Sequence, residues 1–151
     1  MTLPFEVGVV VRDLESMERF YRDVVGCRVE RRSYVPESIG GPAGLGGELT
    51  VVWLRVPSGG CVKLIHPRSG VVSGRAVPWS PGRPGLSYLT FHMADLDPVV
   101  EALRAAGARP LSDPVVVLAR GRRISFWADP EGNVVELVDA RDGNRDPGHS
   151  N

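Results

Sequence analysis

VVRDLESMERFYRDVVG, Val10–Gly26, reads as a strand end, a capped helix and a stop. Asp13 is a short acceptor placed to cap the helix that follows. Leu14, Met17, Phe20, Tyr21 and Val24 recur at helical spacing and predict one buried stripe. Gly26 ends it, as a residue free to adopt the left-handed conformation of a C-cap. The same order is written again in HMADLDPVVEALRAAG, His92–Gly107. There Asp95 or Asp97 starts the helix, Val99, Val100, Leu103 and Ala106 form its stripe, and Gly107 stops it. Asp13 maps onto Asp95, Gly26 onto Gly107, and GGCVKLIHP (Gly59–Pro67) onto GNVVELVDA (Gly132–Ala140). The chain is therefore an internal repeat.

Strands are predicted around both helices. In the first half they are Phe5–Val11, Cys27–Tyr34, Thr50–Val56 and Cys61–Ile65, the last two joined by the turn PSGG. Pro36–Gly47, PESIGGPAGLGG, reads as a flexible loop, because its glycines and prolines do not suit the interior of an element. In the second half the strands are Leu86–Met93, Val115–Leu118, Arg123–Trp127 and Asn133–Val138, the last two joined by ADPEG. The expected layout is one domain, 1–140, made of modules 4–67 and 85–139 with a linker at 68–84, then a polar tail at 141–151. Neither module buries a sheet easily alone. The expectation is an α+β fold of paired βαβββ modules, with a curved mixed sheet around a shared cleft. Function then belongs on strand residues facing that cleft.

Composition excludes several classes. Basic and acidic residues balance at 18 each, with no basic block to hold nucleic acid. No apolar run approaches the length that crosses a bilayer, and no basic amphipathic helix suits a membrane surface. The opening MTLPFEVGVVV reads as a strand rather than a targeting leader. Cys27 and Cys61 make no CxxC element and read as buried thiols. A small-molecule partner and a cytoplasmic location are the expectations.

VVRDLESMERFYRDVVG, ADLDPVVEALRAAGA and GRRISFWADPEGNVVELVD together resemble the vicinal oxygen chelate superfamily, and the likeness runs from Phe5 to Asp139. That group includes glyoxalase I, extradiol dioxygenases, methylmalonyl-CoA epimerase, fosfomycin resistance proteins and bleomycin-binding proteins. PESIGGPAGLGG followed by VKLIHPRSG is loosely similar to the epimerase branch. The resemblance implies four cleft-facing positions that hold a metal in metal-dependent members. Two lie seven residues before each helix-capping Asp; they are usually His and are Glu6 and Tyr88 here. The third, on the last strand of the first module, is Lys63. The fourth, in GNVVEL, is Glu136, the position that keeps the family's residue. An ammonium offers a metal no lone pair, and zinc or iron sites favour imidazole. No metal and no cofactor are expected. The resemblance also implies a homodimer.

Two readings of these positions stay open. Lys63 could be a structural replacement, a cation standing where a cation stood, bridging Glu6 and Glu136 in a buried salt bridge. Alternatively the set runs acid–base chemistry, with Glu6 or Glu136 as base, Tyr88 as acid or oxyanion donor and Lys63 as electrostatic stabiliser. That reading predicts a metal-independent isomerase, cyclase or lyase-like enzyme acting on a small carbonyl-containing or aromatic metabolite. The alternatives are a ligand-binding resistance protein and a divergent metal-dependent glyoxalase or epimerase. His92 shares strand parity with Tyr88 and Thr90 but lies about 13 Å along, toward a rim, as a base, a substrate contact or a satisfied histidine. His66 has the opposite parity to Lys63 and suits a turn or surface role. Trp53 and Trp127 line the pocket or pack the core. Tyr34 and Trp79 stand near glycine- and proline-rich loops, where they favour an apolar or aromatic ligand. Glu48 is a base at the mouth or an ordinary surface residue. Arg122 and Arg123 are candidates to meet an anion.

Overall fold

Asp13 Oδ1 accepts the Ser16 amide at 3.0 Å, and Asp95 Oδ1 accepts the Asp97 amide at 3.1 Å, so both helices start where the sequence signals them. Gly26 (φ 90°) and Gly107 (φ 69°) follow their ends in the left-handed region. A computed structural model describes residues 5–72, 86–118 and 121–139. Trp79, His149, most of the expected linker and the tail lie outside them. The chain divides into two compact units, Met1–Arg83 and Pro84–Asn151. The first carries eleven basic against eight acidic residues, a net of +3, and the second seven against ten, a net of −3.

In the first unit the order is β1 (Glu6–Val10), α1 (Leu14–Arg19, continued by a π-helical segment Phe20–Val24), β2 (Arg28–Val35), α2 (Glu37–Gly40), β3 (Leu49–Arg55) and β4 (Cys61–Pro67). The sheet order is β1-β4-β3-β2, with β1 parallel to β4 and the other pairs antiparallel. One sheet face packs against α1. There Met17, Tyr21, Val52, Leu54 and Leu64 are fully buried. Each large side chain among them contributes about 1.5–3 kcal/mol by leaving water. The stripe differs from the predicted one at its end. In the π segment the Val25 amide bonds back five residues to the Phe20 carbonyl, at 3.2 Å. This wide turn hands the buried place to Val25, 3% exposed, and leaves Val24 half-buried. The expected loop Pro36–Gly47 holds the short turn α2, which propensity did not signal.

The second unit runs β5 (Tyr88–Met93), α3 (Leu96–Ala105), β6 (Arg109–Pro110), β7 (Val116–Val117), β8 (Arg123–Ala128) and β9 (Val134–Asp139). Its sheet is ordered β5-β9-β8-β6, with β7 also on β8 and β5 parallel to β9. Leu96, Val100 and Leu103 are the buried residues of α3. Ala106, expected on that stripe, is the exposed C-cap, and Val99 is half-buried. Two short strands occupy the place of β2. Pro110 and Pro114 each lack an amide to give the ladder. Ser112 Oγ instead accepts the Phe126 amide at 3.0 Å, and the Pro114 carbonyl accepts the Ser125 hydroxyl. The ADPEG turn is built on Asp129, whose Oδ1 accepts the amides of Glu131 and Asn133 at 2.9 Å each. The molecule is thus α+β, with a four-stranded and a five-stranded mixed sheet among the described residues.

Candidate functional site

Register assigns side chains to faces. Arg32 pairs with Val52 and Val52 with Leu64, and Arg32 binds Glu18 of α1, so that row faces the helix. The neighbouring row, Arg31, Trp53, Lys63 and Gly8, faces the other way. On this open face Lys63 Nζ lies 3.1 Å from Glu6 Oε2, and the two side chains are 30% and 36% exposed. The pair expected to be buried is therefore part-solvated. Breaking such a pair costs about 1 kcal/mol or less. Arg31 Cζ stands 3.9 Å from the centroid of the Trp53 ring. Arg28, Arg55 and Cys61 complete the row through Glu6, and Arg55 binds Glu30 at 2.6 Å.

In the second unit Tyr88, Thr90 and His92 lie on one face of β5 and are all exposed. Thr90 pairs directly with Glu136, and its hydroxyl donates to Glu136 Oε2 at 2.6 Å. Phe126 pairs with Glu136 as Trp53 pairs with Lys63. The Tyr88 ring meets Phe126 edge-on, with centroids 5.6 Å apart. Trp127 takes the opposite face. It is 1% exposed and its indole N–H donates to Ser125 Oγ at 2.6 Å, so its role is core packing and Phe126 is the lining aromatic. Sequence reading passed over Phe126 and Arg31, because their place depends on cross-strand register, and β2 carries a register shift between Val29 and Arg31.

Glu48 has the parity of Thr50, away from Trp53, and binds Arg68 at 2.9 Å. Local desolvation of the phenol first, and that carboxylate second, raise Tyr34 above its ordinary range, although its side chain stays exposed. His66 keeps the parity opposite to Lys63, and its Nδ1 is 3.2 Å from the Val11 carbonyl oxygen. Arg122 is exposed, whereas Arg123 binds Asp139 and reaches Asp97 at 2.8 Å. Arg123 is thus a structural tie between the start of α3 and β9. On the helix side of the first unit, a cavity of about 520 Å³ is lined by residues including Glu18, Arg19, Arg22, Arg32 and His66. Each of its arginines faces a carboxylate: Arg19 on Glu15, Arg22 on Asp23 and Glu18, Arg32 on Glu18.

The donor set fits a transition metal poorly. Lys63 occupies one family position and engages Glu6 at another, and Glu136 accepts the Thr90 hydroxyl. Among the described residues no group of three or more His, Cys, Asp or Glu side chains converges. Both cysteines are free and buried. Burial is the main cause that pushes the Cys27 thiol up to about 12; at Cys61 burial, then Glu6, act in the same direction. Neither thiol suits nucleophilic work. No helix among the described residues is long and apolar enough to cross a membrane.

A family model described as the glyoxalase/bleomycin resistance protein/dioxygenase superfamily matches residues 5–126. No curated protein matches the chain in sequence. Among solved structures, a glyoxalase family protein from Bacillus cereus is similar with a TM-score of 0.77 at 24% identity, over 89% of this chain and 91% of that one. A glyoxylase/bleomycin resistance protein/dioxygenase domain from Frankia sp. EAN1pec gives 0.71 at 22% identity, over 95% and 94%. The trypanothione-dependent glyoxalase I of Leishmania major gives 0.65 at 19%, over 92% and 87%. With both units built on the repeat that its two helix stretches announce, the chain belongs to the glyoxalase/bleomycin resistance protein/dioxygenase superfamily, the vicinal oxygen chelate proteins.

Proposed function

We propose that the protein is a metal-independent acid–base enzyme, an isomerase, cyclase or lyase acting on a small carbonyl-containing or aromatic metabolite. The observation that carries this reading is the Lys63–Glu6 pair on the open sheet face, at 3.1 Å with each side chain about a third exposed. A pair this solvated adds little to stability, so stability does not account for a lysine there. It does place a carboxylate able to take a proton beside an ammonium able to stabilise an enolate or phenolate oxygen. Tyr88 serves as acid or oxyanion donor. Glu136, oriented by Thr90, is the second carboxylate, and His92 a further exposed contact.

Proton transfer is tested in D₂O by following exchange of the acidic C–H of phenylacetone and phenylpyruvate by NMR. The expected result is protein-dependent exchange that survives exhaustive chelation. It should fall at least about a hundredfold in Glu6→Gln, and about tenfold in Lys63→Met and Tyr88→Phe, in the range of a lost general acid–base group. Those three variants should melt within a few degrees of the parent. Unchanged exchange in all three, or stoichiometric zinc or iron whose removal abolishes the rate, sinks the proposal. A second reading is a non-catalytic ligand-binding protein, favoured by the exposed aromatic surface of Tyr88 against Phe126. Tight binding of both compounds without exchange supports it. The homodimer belongs to the same reading and is checked by sedimentation; cytoplasmic residence is checked by fractionation.

A further inference from the structure

The open face of the first sheet is unevenly charged. Its rows hold Arg28, Arg31, Arg55 and Lys63 against two carboxylates, Glu6 and the Glu30 that binds Arg55. Glu6 takes Lys63 and Glu30 takes Arg55, which leaves a surplus of two positive charges. The surplus lies on Arg28 and Arg31, neither of which has a carboxylate partner among the described residues. The helix-side cavity differs, because its arginines all face carboxylates.

Arg31 is the informative member. Its guanidinium lies over the Trp53 ring, 3.9 Å from the centroid, in a cation–π contact that fixes the indole. Lys63 stands on the other side of Trp53 in the same row, on a strand whose backbone is about 10 Å from that of Arg31. The next row is Ser33, Val51, Ile65 and Val10, largely apolar, with Val10 53% exposed. Gly8 is what brings that row close. A Cβ there would stand 2.9 Å from Ile65 Cδ1, so the isoleucine leans over a position that carries no side chain. The face thus offers an indole and an aliphatic patch beside spare positive charge.

We infer that this face is a subsite for a planar aromatic carboxylate, with the ring against Trp53, Ile65 and Val10 and the carboxylate on the Arg31 guanidinium. Arg31 meets a carboxylate through two parallel N–H donors, which a lysine does not do. This rests on the reading of the open face as the ligand face, and it adds the charge and shape of the ligand. It requires no turnover and is tested by binding alone.

The probes are 2-naphthoate and its neutral isostere 2-naphthamide, titrated against the full chain by calorimetry at low and high salt. The expected result is at least about tenfold tighter binding of the acid at low salt, with the preference shrinking as salt rises. Arg31→Gln should cut that preference to below about threefold while melting like the parent; Trp53→Leu should weaken both probes. Arg104→Gln, on α3 of the second unit, should change neither. Equal affinity for acid and amide overturns the anion assignment but leaves a ligand face standing. No binding of either probe, or a preference that survives Arg31→Gln, overturns the subsite itself. The exchange experiment on Glu6, Lys63 and Tyr88 is decided separately.

Discussion

Lys63 shows what one side chain can reveal and what it hides. Its type alone argues against a metal at a family metal position, and that is legible in the sequence. Its partner is not legible there. Sequence reading set Lys63 between Glu6 and Glu136 in a buried bridge; the first unit shows it on Glu6 and part-solvated. Trp127 misleads in the opposite way. An indole beside a turn invites a binding role, yet one step of strand parity sends it into the core and turns Phe126 outward. The buried thiols supply a pH prediction. Burial first, and Cys61 second, raise Cys27 from 9.0 to about 12 in the folded state. The folded chain therefore keeps a proton that the unfolded chain loses. Stability is fully present below about pH 9 and falls as pH rises toward 12, by about 1.4 kcal/mol per unit at most. The melting temperature between pH 9 and 11 should drop more steeply in the parent than in Cys27→Ala. Parallel slopes would refute the assignment.

At the scale of elements, long periodic segments were readable and short ones were not. Both capped helices, the PSGG hairpin and the ADPEG turn follow from local signals that the fold obeys. β6 escaped because Pro110 and Pro114 break one edge strand into two-residue pieces, too short at Arg109–Pro110 for an alternation to register, whereas β7 lies inside the expected strand Val115–Leu118. The α2 turn escaped because glycines and prolines dominate Pro36–Gly47. Its geometry rests on a close backbone approach instead. A Cβ built at Gly40 falls well inside contact distance of the Gly47 carbonyl oxygen, which has no side-chain torsion to swing away. Gly40→Ala should cost about 2–3 kcal/mol by overpacking, a loss of roughly 5–10 °C in melting temperature. Ser38→Ala, exposed on the same turn, should shift it by less than about 1 °C. Equal melting of the two variants in a calorimetric scan would show the approach to be relaxed in solution.

At the scale of the whole molecule, the repeat is kept in the register as well as the sequence. Glu6 and Tyr88 each stand seven residues before a capping Asp, Gly8 and Thr90 each pair with the middle strand residue, and Lys63 and Glu136 are that residue. The scaffold is duplicated and the side chains are not. Family membership was legible because it resides in the scaffold; the ligand was not, because it depends on side chains that differ between the halves. One difference in length remains. Gly26 follows Asp13 by thirteen residues, whereas Gly107 follows Asp95 by twelve. The π segment is where the longer helix stores its surplus residue. This makes the first helix tolerant of a deletion that the second is not. Removing Asp23 should let Phe20–Val25 rewind to a regular α-helix, with Val25 still inward and the melting temperature within a few degrees of the parent. Removing Ala102 from the regular α3 should rotate Leu103 off its buried face, at a cost of about 3 kcal/mol or more. Comparable losses in both deletions would mean the wide turn carries strain-bearing contacts of its own. The expected outcome instead makes it a spacer, a single residue of slack recording that two copies of one plan have since changed length independently.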